Sequence, residues 1–407
     1  MKNFLCYLIA LIFLSTACST QQKIPETKVK TGAEVLIESY LPDLAGKRVG
    51  LVINHTARVG QVHVLDTLIA SGVIVTSIFA PEHGYRGDRA DGELIKTDID
   101  RVTGLPVFSL YGSDKRPTKK MMDSVDILLF DMQDVGARFY TYNSTMKNIL
   151  EAGAEFEKEV WILDRPNPAG GEYVAGWILE NEFESFVGSY PIPIAHGLTL
   201  GELALMAVGE GWLDKNSIPK LRVIEMKGWN RTTKWPETGL EWIPPSPNLP
   251  DFENAYTYLG TCFFEGVNIS EGRGTDNPFL KIGSPLTQFL PEELENLSKK
   301  YGMKIDTVSF IPRSIPGKSL YPKFEGEHIY GVSLSPTSEF NKPVEFGLDL
   351  LKLFEDKMNS QNEEYIVRDH FFLLSGTSEI LNWDGKVQWG PAFDEYLTKR
   401  KKYFLYD

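Results

Sequence analysis

Short apolar runs, each ending in a polar cluster, alternate along the first half of the chain with segments whose apolar residues recur every three or four positions. Arg48–Ile53 runs into Asn54-His55, and Val73–Phe79 into Ala80-Pro81-Glu82-His83-Gly84-Tyr85-Arg86-Gly87. Val125–Phe130 runs into Asp131-Met132-Gln133-Asp134-Val135-Gly136-Ala137-Arg138, and Val160–Leu163 into Asp164-Arg165-Pro166-Asn167-Pro168. Runs this short and this uniformly apolar predict strands buried on both faces. Leu105–Leu110 and Leu221–Met226 predict two more strands. Thr31–Leu41 predicts a leading helix, Val62–Ala70 a helix with Val64, Leu65, Leu68 and Ile69 on one face, and Asn143–Glu157 another. Thr199 followed by Glu202 is a capping box that starts a further helix. Strand and helix in alternation predict an α/β fold with a mostly parallel sheet covered by helices. If the strands are parallel neighbours, their polar clusters meet at one carboxyl edge, where open α/β sheets bind ligands. Phe263–Ile269 leads in the same way into Ser270-Glu271-Gly272-Arg273-Gly274, a fifth cluster from a distant part of the chain.

Between Trp229 and Pro250 the pattern breaks, and Pro244-Pro245-Ser246-Pro247-Asn248-Leu249-Pro250 excludes helix and central strand. A domain boundary is expected there, dividing residues 31–235, the sheet domain, from 236–407. The second part carries helices near Pro291–Tyr301 and Val344–Asp356 and strands near Lys304–Phe310 and His328–Ser333, which read as a smaller α/β domain completing a cleft.

A length of 407 residues suits two domains, and 42% hydrophobic with 24% charged residues is the balance of a soluble globular protein. The net charge of −13 argues against nucleic acid as a partner, whose phosphates demand a basic face. At the N-terminus, Lys2 precedes the apolar stretch Phe4–Leu14, too short for an ordinary membrane span of about 20 residues. With Ser15-Thr16-Ala17 before Cys18 it reads as a signal peptide over 1–17 and a lipobox-like site. Cys18 would be lipidated and residues 18–30 would tether the protein to a membrane in the periplasm or cell envelope; an uncleaved anchor is the alternative. Cys6 leaves with the signal peptide and Cys18 would carry the lipid, so Cys262 has no partner for a disulfide. The six His show no zinc-site spacing, no GxGxxG follows the first strand, and no Gly-x-x-x-x-Gly-Lys-Ser/Thr loop occurs (Gly317-Lys318-Ser319 has Pro312 where its leading glycine would stand), so no cofactor is expected.

The clusters carry sugar-binding and acid–base chemistry. Glu82, between Pro81 and Gly84 and beside His83 and Arg86, suits a general acid or base; its bland alternative is a surface pair with Arg86 or Arg89. Asp131, Gln133, Asp134, Arg138, Tyr140 and Tyr142 offer the acceptors, donors and ring faces that a sugar needs, and Asn54 at the end of Arg48–Ile53 is a further candidate. Helix capping by Asp131 and tyrosine packing are the alternative. Asp164, Arg165 and Asn167 sit on a rigid turn where Arg165 either pairs with a substrate carboxylate or with Asp164. His196, Asn248, Asn268, Glu271 and Arg273 are further lining candidates, although a lone His is more often structural.

Taken together, Ala80–Gly87, Phe130–Tyr142, Leu163–Gly171, His196–Leu203, Pro245–Pro250 and Asn268–Thr275 resemble the signatures of the NamZ-type exo-β-N-acetylmuramidases, over nearly all of Gly32 to Asp407. The resemblance implies a Rossmann-like first domain without a nucleotide, joined to a smaller α/β domain. It implies release of N-acetylmuramic acid from the non-reducing end of peptidoglycan fragments, disaccharides or muropeptides. The family's proposed catalytic glutamate falls on Glu82. For the second carboxyl group Asp131 is the expectation, with Asp164 and Glu271 competing, and substrate assistance by the 2-acetamido group stays open. The lactyl carboxylate of muramic acid calls for a cation, and Arg86, Arg138, Arg165 and Arg273 are the candidates. A cell-wall amidase or esterase would need an activated Ser or Cys, and no GxSxG elbow is present. A noncatalytic muropeptide-binding lipoprotein is the other rival.

Overall fold

A computed structural model describes residues 28–81, 85, 98–112, 115–214 and 218–407. The expected leader, Cys18, most of the tether, and Glu82, His83 and Arg86 lie outside these residues. The strands of the first half are β1 (Arg48–Ile53), a hairpin of β2 (Arg58–Val59) and β3 (Val62–His63), β4 (Ile74–Ala80), β5 (Asp98–Ile99), β6 (Pro106–Ser109), β7 (Ile127–Asp131), β8 (Glu159–Leu163) and β9 (Lys220–Ile224). Seven of them form one sheet in the order β5-β6-β4-β1-β7-β8-β9, parallel throughout except where β5 meets β6. Without the two-residue β5, this is the 3-2-1-4-5-6 order of a doubly wound Rossmann sheet, reversing at β1.

The uniform apolarity of the runs has a direct cause. Ile127 and Leu129 pack with helices α1 (Gly32–Ser39) and α2 (Val64–Ala70) on one face of the sheet. Leu128 and Phe130 pack on the other face, with α4 (Tyr142–Glu155) and α5 (Leu200–Gly209); a one-turn α3 (Lys119–Met122) precedes β7. Successive side chains of a strand point to opposite faces, so both must be apolar when both faces are covered. Thr199 caps α5 with the expected capping-box bonds from Glu202, and Thr31 caps α1 in the same way with Glu34.

The second half is built differently from the first. β10 (Lys281–Ser284), β11 (Met303–Phe310) and β12 (Ile329–Pro336) form an antiparallel sheet in the order β10-β12-β11. Around it lie α6 (Phe252–Thr261), α7 (Pro291–Tyr301), α8 (Pro343–Ser360), α9 (Asp369–Ser375) and α10 (Pro391–Lys399). The run Phe263–Ile269 is not a strand. It continues α6 as a tighter turn over Cys262–Gly266, which buries Phe263 against Phe371 and Phe264 against Phe354. After α10 the chain returns to the first sheet: the Tyr406 hydroxyl donates to Asp164 (2.7 Å) and the Leu405 N–H to Glu202 (3.1 Å).

Arg138, expected at the substrate, is instead an internal tie. It is 1% exposed, and its guanidinium donates to the carbonyls of Trp177 (2.8 Å), Ile192 (2.9 Å), Leu374 (3.0 Å) and Ser375 (2.5 Å), so it binds the end of α9 to the first half of the chain. Gly376 turns the chain around it at φ 72°, where a Cβ would stand 2.5 Å from an Arg138 nitrogen. Burial lowers the Arg138 pKa to about 9. Replacing Arg138 by Met leaves buried carbonyls without donors, and should cost about 3 kcal/mol or more of stability. Urea unfolding checks it: a loss below about 1 kcal/mol would contradict the tie.

Candidate functional site

At the carboxyl edge of the sheet the polar side chains are taken up by one another. Asn54 donates to the Tyr142 hydroxyl (2.8 Å), which donates on to the Pro245 carbonyl (2.8 Å), and its Oδ1 accepts from the Thr56 N–H and hydroxyl (3.0 and 2.6 Å). Gln133 donates to the carbonyls of Asp134 and Pro166, both at 2.8 Å. Asp131, with no exposure, receives both Nε (2.5 Å) and Nη2 (3.0 Å) of Arg165. Asp164 accepts from the hydroxyls of Thr199 and Tyr406 (2.7 Å each) and from the N–H of Gly201 (2.9 Å) and Arg165 (3.0 Å). Burial pushes the Asp164 pKa up to about 7 against those donors. Asn167 donates to the Leu198 carbonyl (3.0 Å) and packs on Gly136, whose φ of 82° brings the backbone so close that a Cβ would lie 2.3 Å from Asn167 Oδ1.

His196 and Asp134 form a second buried unit. The His196 Nδ1 accepts from the Leu198 N–H (3.2 Å), which leaves the proton on Nε2, 4.0 Å from Asp134 Oδ1. Burial, with Arg400 and Arg138 nearby, lowers the His196 pKa to about 3, and burial raises that of Asp134 to about 7. Both groups are therefore neutral over most of the acidic range.

These residues were expected around the substrate, and the structure spends them on holding loops. Asn248 is buried and donates to the Lys318 carbonyl (2.8 Å), while Asn268 bonds the backbone of Glu364 and Ile366 away from the sheet edge. Glu271 is 3% exposed, with Lys323 Nζ 3.0 Å away. Gln133 and Arg165 do edge a hollow with Thr56 and Arg58, but its volume of about 50 Å³ admits water rather than a sugar.

The roomy space lies further out, where the two halves of the chain meet. A cavity of about 510 Å³ is walled on one side by Tyr111 and Gly112 after β6, Tyr140 and Thr141 after β7, and Ser246 and Leu249. Tyr258 of α6, Glu265, Arg273, Phe279, and His370 and Leu374 of α9 form the other side. Among the residues named from sequence, Tyr140 and Arg273 are the ones the structure brings to this wall. The Tyr140 ring meets Tyr142 and Tyr258 edge to face at 4.8 and 6.3 Å. Pro81, the last described residue before Glu82, follows Ala80, whose carbonyl accepts from the Leu110 N–H (2.8 Å). The chain thus leaves β4 beside the residue that precedes Tyr111 of the cavity wall.

Glu265 is the carboxylate on that wall among the described residues, and the sequence reading missed it. Arg273 donates to its Oε1 through Nη2 (2.7 Å) and Nε (3.2 Å), and His370 Nε2 stands 3.7 Å from Oε2. Burial raises the Glu265 pKa, with His370 pulling it back. Reading Phe263–Ile269 as a strand hid this Glu; its position directly before the glycine-rich Gly266–Thr275 was the available signal.

An N-terminal model of exo-β-N-acetylmuramidase NamZ matches residues 49–253, and the corresponding C-terminal model matches 256–406. The chain belongs to the NamZ family. It is 38% identical, over 95% of its length and 94% of the relative's, to the peptidoglycan β-N-acetylmuramidase NamZ of Bacillus subtilis. Two crystal structures of DUF1343 family proteins from Bacteroides fragilis share the fold. One has a TM-score of 0.80 at 33% identity and covers 94% of this chain and 100% of its own. The other has a TM-score of 0.78 at 38% identity and covers 94% and 99%. The family models divide the chain between 253 and 256, and the cavity takes its walls from both spans.

The buried acid beside His196 has a consequence for stability. Asp134 keeps its proton to about pH 7 when folded and loses it near pH 4 when unfolded. Between these values the unfolded chain binds fewer protons, so Asp134 makes stability fall as pH rises and then level off above 7. Asp134→Asn should therefore gain stability relative to wild type between pH 4.5 and 7.5, by urea unfolding at both; a pH-independent difference would show that Asp134 ionises normally.

Proposed function

We propose that this chain is an exo-acting glycosidase that releases N-acetylmuramic acid from the non-reducing end of peptidoglycan-derived disaccharides or muropeptides. The observation that carries this reading is a cavity of about 510 Å³ walled by both NamZ spans, to which the described residues bring aromatic rings and the carboxylate of Glu265. An exo-enzyme needs a recess for one terminal residue, with polar groups fixing its orientation.

In this reading Glu82 is the general acid. Its support is the Ala80-Pro81-Glu82-His83-Gly84 motif and the departure of β4 beside the cavity-lining loop after β6. It gives its proton to the leaving glycosidic oxygen. Glu265 replaces Asp131 as the second carboxyl group, because Asp131 is sealed by Arg165 while Glu265 borders the cavity. The amidase reading loses ground: Cys262 has no exposure, and burial raises its thiol pKa, the reverse of an activated nucleophile. The protein is exported and held to a membrane by lipid on Cys18, on the strength of the apolar Phe4–Leu14 and the small residues before Cys18.

The purified mature protein should release free N-acetylmuramic acid from a MurNAc–GlcNAc disaccharide. Glu82→Gln and Glu265→Gln should each lower kcat by about 100-fold or more with unchanged circular dichroism. Binding without turnover in the wild type would favour the capture protein, and full activity of Glu265→Gln would remove it from the chemistry. Cys18→Ala should move the protein from the membrane to the soluble fraction of cells; a variant that stays membrane-bound would contradict the lipid tether.

A further inference from the structure

Of the arginines expected to meet the lactyl carboxylate of muramic acid, Arg86 lies outside the described residues and the other three are engaged elsewhere. Arg138 serves four backbone carbonyls, Arg165 serves Asp131, and Arg273 holds Glu265. A cation already neutralised by a resident carboxylate gains little from a second one. Lys115 is the remaining described cation on the cavity wall.

Its surroundings set it apart from its neighbour. Arg116 takes three acids: Glu155 at 2.8 Å, Asp214 at 3.0 Å and Glu151 at 3.3 Å. Lys115 pairs with none of the described carboxylates; its ammonium stands 4.5 Å over the ring of Phe186, also on the cavity wall. The backbone beneath it is fixed, because the Lys115 carbonyl accepts from Asn148 of α4 (2.9 Å). Phe186 and Val187 continue the same wall as an apolar surface. Lys115 comes from the sheet half of the chain, whereas Glu265, which would repel a substrate anion, comes from the other half.

The lactyl ether distinguishes muramic acid from glucosamine by one carboxylate and one methyl group on the same carbon. An ammonium that none of the described carboxylates neutralises, beside an apolar patch, is complementary to both. We infer that Lys115, with Phe186 and Val187, is the lactyl-reading wall of the cavity and the determinant of muramic acid over glucosamine. This rests on the glycosidase reading above. Lys115 supplies the charge and restricts the anion to that side, while Phe186 holds the ammonium and meets the methyl.

The test compares p-nitrophenyl β-MurNAc with p-nitrophenyl β-GlcNAc as substrates, and free MurNAc with free GlcNAc by calorimetry. Wild type, Lys115→Ala, Lys115→Arg and Phe186→Ala are measured. Lys115→Ala should cut the preference for the muramic sugar by about 10- to 100-fold, mostly through KM and Kd, because one charge-assisted contact is lost. Lys115→Arg should keep most of the preference, and Phe186→Ala should show a smaller loss. A preference in Lys115→Ala within about threefold of wild type, or an equal loss for both sugars, overturns the inference while leaving the activity in place. A wild-type protein that neither binds nor cleaves a muramide sinks the glycosidase reading and this inference together.

Discussion

The buried pair of Asp131 and Arg165 sits beside the point where the sheet order reverses, at the end of β7 next to β1. In a Rossmann sheet that crevice is where a dinucleotide lies. Here a carboxylate with no exposure is clamped by a guanidinium on the next strand's loop, and the Thr56, Gln133 and Pro166 contacts close around it. Removing one partner of such a pair strands the other charge in a low-dielectric interior, typically at 3–5 kcal/mol, about half the stability of an ordinary domain. The pair is therefore a fixed point on which the loops after β1, β7 and β8 are hung. With the ordinary crevice filled, the larger open space lies further out, where a second set of elements forms the far wall.

That far wall is held by an apolar core common to both halves, in which Phe139 meets Tyr258 and Phe263 edge to face, and by polar ties, rather than by a shared sheet. Arg138 binds the end of α9, Tyr406 binds Asp164, and Arg400 donates to the carbonyls of Gly171 and Gly197 at 3.2 and 3.1 Å. The C-terminal segment is thereby anchored to the loops that carry the first wall. Its own contribution is Glu265, held by Arg273 at 2.7 Å with His370 3.7 Å away.

Much of the sheet was legible in sequence because burial on both faces leaves an unmistakable apolar run with a polar end. Arg48–Ile53 needed no adjustment, and the capping box at Thr199 named the start of α5. The convergence of polar clusters was legible too, since parallel neighbours place their carboxyl ends together. What the sequence does not display is which members of a cluster face the ligand. Asp131, Asp164, Asn167 and Arg138 are chemically as suitable as Tyr140 or Glu265, and only three-dimensional partnering separates a residue that holds a loop from one that lines a cavity. The same limit hid the turn at Cys262–Gly266, where aromatic side chains serve a helix end as readily as a strand.

The central claim is that one muramic acid residue occupies the space between Tyr140, Glu265 and Lys115. A crystal structure of the protein with N-acetylmuramic acid bound tests it most directly. The account predicts the sugar ring in this cavity, its lactyl carboxylate toward Lys115 and its anomeric carbon toward the acid side chains. A sugar bound elsewhere with this cavity empty, or in it with the lactyl group toward Glu265, would contradict the account.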